Sequence, residues 1–429
     1  MAVRVGDAAS WSTLNSAPGT ALPVALDVLD VATGRRLRSV ALATRRNAST
    51  GDNACTLSFG SPGDGAPGSQ VLDWSWETEG APSHDATQSA LFLGCHTSPA
   101  GAPLDRGGLK SIALATAASL AAGRVDTTPA FVAFEGRRGS ATGFKGVYSP
   151  DARRFWLVGV ANAQWGLRFL AGAREGTTQR VAGARWRADG SYSIATLDVR
   201  AVGAYRDGLL LASSALFEPR ASETTLAVVS GDAGALPTSD VPPDAVATLP
   251  GLEGASQRRS LYGFVFAERG AALFAVDDRA TYVRVPSRSG APDEGRPEFA
   301  RTALASAIIR YTRAAGGPGG AAARWGQDYG ATVALPAGAA VYCLVGRVSA
   351  AGGAFALYTA SRAAVYEVLP ASRAVRVVAT APPGSQWRGV AFPPLPPRSP
   401  SPSGSGTAAR TASPSASRVR SRSAKPRAV

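Results

Sequence analysis

The chain has 429 residues, 45% of them apolar, which excludes a wholly disordered protein and leaves material for a sizeable core. The formal charge of +14 would ordinarily point to a polyanion. About half of that excess stands in the last stretch, where Arg398, Arg410, Arg418, Arg420, Arg422, Lys425 and Arg427 have no acid among them.

Before that stretch arginines and acids are interspersed, so a solvated, mildly basic surface is expected rather than a specific nucleic-acid groove. With 48 Gly and 30 Pro against 18% charged residues, composition favours turns and short strands over long helices. No run approaches the roughly 18 apolar residues of a membrane span. The start, Met1-Ala2-Val3-Arg4-Val5-Gly6-Asp7, lacks the regions of a signal peptide, which by itself places the chain in the cytoplasm. A leader missing upstream would instead make it extracellular or wall-bound. Cys55, Cys95, Cys343, His84 and His96 have no zinc-like spacing, so no metal and no cofactor is expected.

Along the chain, residues 1–5, 22–29 and 36–43 read as the second, third and fourth strands of a blade that lacks its first. Asn47-Ala48-Ser49 is a glycosylation acceptor in a polar loop, meaningful only in the secretory path. A second blade is placed around residues 55–131. It holds Cys55 and Cys95, a candidate disulfide in an exported chain and otherwise two buried thiols. Within it Asp73-Trp74-Ser75-Trp76-Glu77-Thr78-Glu79 sets two tryptophans among three acids. As a loop it would offer Trp74 and Trp76 to a sugar or basic peptide; as a half-buried strand it would carry both on one face.

Four copies of one unit follow, each an apolar strand, a polar turn and a strongly apolar strand. They begin at Phe144-Lys145-Gly146-Val147-Tyr148, at residues 199–205, at Tyr262-Gly263-Phe264-Val265-Phe266 and at Val341-Tyr342-Cys343-Leu344-Val345. Asp-Gly and Gly-Gly steps between the apolar runs are hairpin signals, because both residue types tolerate positive φ. Two more amphipathic strands complete each unit. Finally Trp387-Arg388-Gly389-Val390-Ala391-Phe392 repeats the opening strand alone. Paired with the N-terminal strands, it would close a ring and remove exposed sheet edges.

The expected fold is therefore an all-β propeller of about six, and at most seven, four-stranded blades over residues 1–392. From Pro393 the chain is almost wholly Ser, Pro, Gly, Thr, Ala and Arg, so residues 393–429 are expected to be a disordered tail.

Ser260-Leu261-Tyr262-Gly263-Phe264-Val265-Phe266, Ala275-Val276-Asp277-Asp278, Trp387-Arg388-Gly389-Val390-Ala391-Phe392-Pro393 and Arg4-Val5-Gly6-Asp7 resemble an uncharacterised family of repeat proteins from bacteria and green algae. The resemblance implies a secreted propeller and supplies no catalytic residue, cofactor or ligand.

No catalytic constellation stands out. There is no Gly-x-Ser-x-Gly elbow, and Gly316-Gly317-Pro318-Gly319-Gly320 lacks the Lys and Ser/Thr of a phosphate loop. Asp277-Asp278 ends an apolar strand, where it suits a Ca²⁺ ligand pair, an acid and base, or a self-capping turn. Asp151, Asp189 and Asp207 fall at hairpin turns and read as turn formers. The expectation is a non-enzymatic, monomeric binding or structural scaffold at the cell surface or in an extracellular matrix, its partner an unidentified protein or polysaccharide. The alternatives are a propeller hydrolase or lyase acting on polysaccharide through acids such as Asp277 and Asp278, and an intracellular interaction platform.

Overall fold

Neighbouring residues of the apolar runs enter two different cores, since side chains alternate across a pleated strand. The computed structural model describes residues 1–7, 20–58, 79–85, 87–104, 109–132, 144–159, 166–172, 176–182, 185–186, 192–193, 199–206, 208–213, 226–230, 235–239, 241–242, 245–252, 261–267, 270–277, 282–285, 298–301, 306–314, 324–348 and 354–396.

The first elements are β1 (Ala2–Val5), β2 (Ala21–Leu29), β3 (Arg36–Ala41), β4 (Thr56–Ser58), β5 (Ser83–His84), β6 (Ala90–His96), β7 (Leu109–Thr116), the helix α1 (Ala117–Ala121) and β8 (Ala130–Val132). Next come β9 (Phe144–Tyr148), β10 (Arg154–Gly159), β11 (Gly166–Ala171), β12 (Gly176–Thr177), β13 (Gln179–Ala182), β14 (Arg185–Trp186) and β15 (Tyr192–Ser193). They are followed by β16 (Val199–Tyr205), β17 (Gly208–Ser213), β18 (Leu226–Ser230), β19 (Val246–Thr248), β20 (Leu261–Ala267), β21 (Ala272–Asp277), β22 (Tyr282–Val285) and β23 (Glu298–Arg301). The last are β24 (Ala307–Arg313), β25 (Trp325–Ala334), β26 (Val345–Val348), β27 (Phe355–Ala360), β28 (Ala364–Leu369), β29 (Ala374–Thr380) and β30 (Gln386–Val390).

Four antiparallel sheets have four strands each, in the orders β9-β10-β11-β13, β16-β17-β18-β19, β20-β21-β24-β25 and β26-β27-β28-β29. Their first strands lie against one another: β9 against β16, β16 against β20, and β20 against β26. At one end of this series β9 meets β6, and at the other β27 meets β30. The arrangement is a β-propeller, with a core between each sheet and the next. In β10, Phe155 and Leu157 enter the core shared with β6 and β7, while Trp156 and Val158 enter the core shared with β16 to β18. In β17, Leu209 and Leu211 face back and Leu210 and Ala212 face forward. Burial on both faces is why these strands read as unbroken apolar runs, and each large side chain so buried contributes about 1.5–3 kcal/mol.

The ends of the described chain meet as β30 pairs antiparallel with β1, Ala2 opposite Val390 and Val5 opposite Gln386. Behind it the fully buried Asp27 of β2 accepts hydrogen bonds from Arg4 Nε (2.8 Å) and Ser39 Oγ (2.5 Å), tying β1, β2 and β3 together. On its other side β30 packs so closely on residues 80–82 that a Cβ at Gly389 would collide with Gly80 O and Pro82 Cδ. Gly389→Ala is therefore expected to cost about 1–3 kcal/mol, read as a shifted urea midpoint at unchanged slope. A midpoint equal to that of the parent protein would show that β30 is not clamped there.

Two expectations need correction. The six or seven separate blades are not what forms: among the described residues four sheets stand apart as four-stranded blades, and ten strands make one continuous sheet, β12-β8-β7-β6-β4-β2-β1-β30 with β3 on β2 and β5 on β6. The cause is β4, whose residues pair with β2 on one side and with His96 of β6 on the other, fusing strands expected to lie in two blades. The second correction concerns Val341 to Val345. The strand there is β26, starting only at Val345, and Val341 makes an isolated bridge to Ser361. Residues 339–344 are instead buried coil, with Thr359 Oγ1 donating to Cys343 O.

Asp151 Oδ1 accepts from the backbone N–H groups of Arg153 and Arg154, as expected of a turn former. Asp189 and Asp207 lie outside the described residues. The compact unit runs from Met1 to Pro396, and the tail from residue 397 also lies outside them.

Candidate functional site

A charged side chain is rarely buried without partners, so buried charges show where a fold concentrates its polar chemistry. The densest group among the described residues is Glu79, His96, Lys110 and Lys145, each no more than 1% exposed. Glu79 precedes β5, His96 ends β6, Lys110 lies in β7 and Lys145 in β9. The β6–β7 register sets His96 directly opposite Lys110.

Glu79 Oε1 lies 3.0 Å from His96 Nε2, and Lys110 Nζ lies 2.9 Å from His96 Nδ1. Burial is the largest influence on the imidazole and pushes its pKa down. The Lys110 and Lys145 charges push the same way, against the pull of Glu79. The ring is accordingly neutral, its Nε2–H donating to the Glu79 carboxylate and its Nδ1 accepting from Lys110. Arg388 of β30, also buried, has its Cβ against Gly80, next to Glu79. Ser83 Oγ donates to Val147 O and adds a link from β5 to β9. Glu79, His96 and Lys110 form one hydrogen-bonded row, each member no more than 1% exposed. Its two bonds tie the segment before β5 to β6, and β6 to β7.

Of the four residues singled out from sequence as ligand contacts, Asp277 alone is among the described residues. Trp74, Trp76 and Asp278 lie outside the described residues. Glu79, the last acid of the aromatic segment, is turned inward to His96 and offers nothing to a ligand. Asp277 is 5% exposed at the end of β21, its Cα opposite Leu261 and Ala307. Cys55 and Cys95 are bonded to each other, both fully buried, with Cα atoms 4.9 Å apart. Cys343 is a buried free thiol whose pKa burial pushes up. Asn47 stands in an exposed loop. Among the described residues no three His, Cys, Asp or Glu side chains are grouped as a metal would need, and no helix is long and apolar enough to cross a membrane.

The buried network was not legible in sequence. Sequence spacing gives His84 and His96 no zinc-like set of ligands, and the partners of His96 are 17 and 14 residues away on other elements. A lysine inside an otherwise apolar strand, as in Leu109-Lys110-Ser111-Ile112 and Phe144-Lys145-Gly146-Val147, was the available signal.

No family model matches the chain, and no curated protein matches it. Distant likeness is found to solved structures. A putative 6-phosphogluconolactonase from Bacteroides uniformis has 12% identity and a TM-score of 0.35 over 68% of this chain and 67% of that one. A periplasmic gluconolactonase of Pseudomonas aeruginosa has 14% identity and a TM-score of 0.37 over 88% and 81%. A β-propeller domain from Myceliophteria thermophila has 10% identity and a TM-score of 0.34 over 70% and 86%. Likeness at this level carries no statement about chemistry.

Proposed function

We propose that this propeller is a non-enzymatic binding or structural scaffold of an oxidising, extracellular setting, a cell surface or matrix, with a protein or polysaccharide as partner. The observation that carries the reading is the buried Cys55–Cys95 bridge, because structural disulfides persist where the surroundings are oxidising. Two further features support it. The acid–imidazole–amine group best suited to proton transfer is sealed inside as a strut. The Ser/Pro tail with its seven basic residues suits a stalk or an anchor to polyanionic wall material. The resemblance to secreted repeat proteins points the same way.

The test is peptide mass spectrometry under non-reducing conditions on protein from its native source, with fractionation of wall, medium and cell interior. The expected result is a Cys55–Cys95 linked peptide pair in wall or medium. Three free thiols in protein from the cell interior would move the reading to an intracellular platform, and release of reducing ends from a polysaccharide would move it to an enzyme.

A further inference from the structure

We infer that Asn47 is the acceptor of an N-linked oligosaccharide, an inference that rests on the extracellular reading above. Asn47-Ala48-Ser49 has the acceptor pattern, and every residue from Thr44 to Gly51 is exposed. Asn47 Oδ1 accepts from both Ser49 N (3.0 Å) and Ser49 Oγ (2.7 Å), so the hydroxyl that the pattern requires already sits on the side-chain amide. The Asn47 Nδ2 group is left for the reaction.

Asn53 is the instructive contrast. It lies six residues on, is buried, and spends its Nδ2 on the carbonyls of Thr127 and Thr128. That anchor, with the Cys55–Cys95 bridge just after it, roots one end of the exposed loop, and β3 roots the other. A sugar on Asn47 therefore stands on a short, fixed loop beside β3. Among the described residues this strand pairs with β2 alone and exposes Leu37, so its outer edge is one that a bulky hydrophilic group would guard against pairing with another chain. In the transfer, Asn47 Nδ2 bonds to the anomeric carbon of a lipid-diphosphate-linked oligosaccharide. The carbon–oxygen bond to the diphosphate breaks, the lipid diphosphate leaves with the electron pair, and Nδ2 gives up one proton.

The experiment treats full-length protein from its native source with peptide-N-glycosidase in heavy-oxygen water and reads the peptide spanning position 47. The expected result is conversion of Asn47 to Asp with one heavy oxygen, together with a loss of mass from the intact chain. Both changes should vanish in Asn47→Gln and Ser49→Ala variants expressed in the same cells. Unmodified Asn47 in protein that retains the Cys55–Cys95 bridge would overturn this inference and leave the extracellular reading standing. Unmodified Asn47 with three free thiols would overturn both.

Discussion

Replacing Cys55 and Cys95 together with alanine is expected to lower the unfolding free energy by about 4 kcal/mol, the chain-entropy value for a loop of this length. The bridge closes a loop with a sequence separation of 40 residues, and both sulfurs are fully buried, so alanine avoids leaving a buried hydroxyl without a partner. The effect should concentrate at β4. That strand is three residues long, and its registered pairing with β6 is the Thr56–His96 pair alone. Thr56 Oγ1 adds bonds to His96 O and Ser98 O, but the covalent link one residue earlier holds the strand in place. Urea unfolding of the parent protein, oxidised and after reduction in the unfolded state, gives the comparison. The reduced parent and the double variant should share one midpoint, and an oxidised midpoint that coincides with theirs would mean that the bridge does not stabilise the fold.

The second large effect is expected at Glu79. Glu79→Ala removes the acceptor of His96 Nε2–H and a buried negative charge that acts on the imidazole against those of Lys110 and Lys145. The expected loss is about 3–5 kcal/mol, the usual result of breaking a buried pair from one side. If the cost comes from unpaired charge, Lys110→Met introduced on the Glu79→Ala background should recover part of it. Additive losses in that double-mutant cycle would show that the two groups do not act together.

The same network sets a pH dependence. In the unfolded chain His96 takes up a proton near pH 6.5, whereas in the folded protein it stays neutral to lower pH. Between those two values the unfolded state binds more protons, so acidification favours unfolding. Stability should be at its full value above about pH 6.5 and fall as the pH drops toward the folded-state pKa. His84, whose pKa burial also pushes down, adds to the fall with the same sign. Unfolding curves for parent and His96→Gln through this range provide the check: the variant should have the shallower slope, and equal slopes would exclude His96 as a source.

Much of the architecture was legible because its causes are local. The unbroken apolar run Phe155-Trp156-Leu157-Val158, the turn former Asp151 and the lone opening strand at Trp387 each identify a strand, a turn or a seam from a few adjacent residues. Even the pairing of the chain's last strand with its first followed from counting which strand each end lacked. Local pattern failed where the outcome depended on distant partners. Thr56 to Ser58 has no signature that distinguishes a strand ending one blade from one fusing two sheets, and β4 does the latter because β2 and β6 both offer it unpaired backbone. Val341 to Val345 is apolar enough for a strand, yet only Val345 joins one. α1, capped by reciprocal bonds between Thr116 and Ser119, carries serine where the usual capping pattern has Glu or Gln. Glu79, His96, Lys110 and Lys145 lie on four separate stretches of the sequence, and none signals its neighbours. Strand pairing brings them together, and burial then forces them to satisfy one another, because an isolated charge in that interior would cost more than the fold can spare.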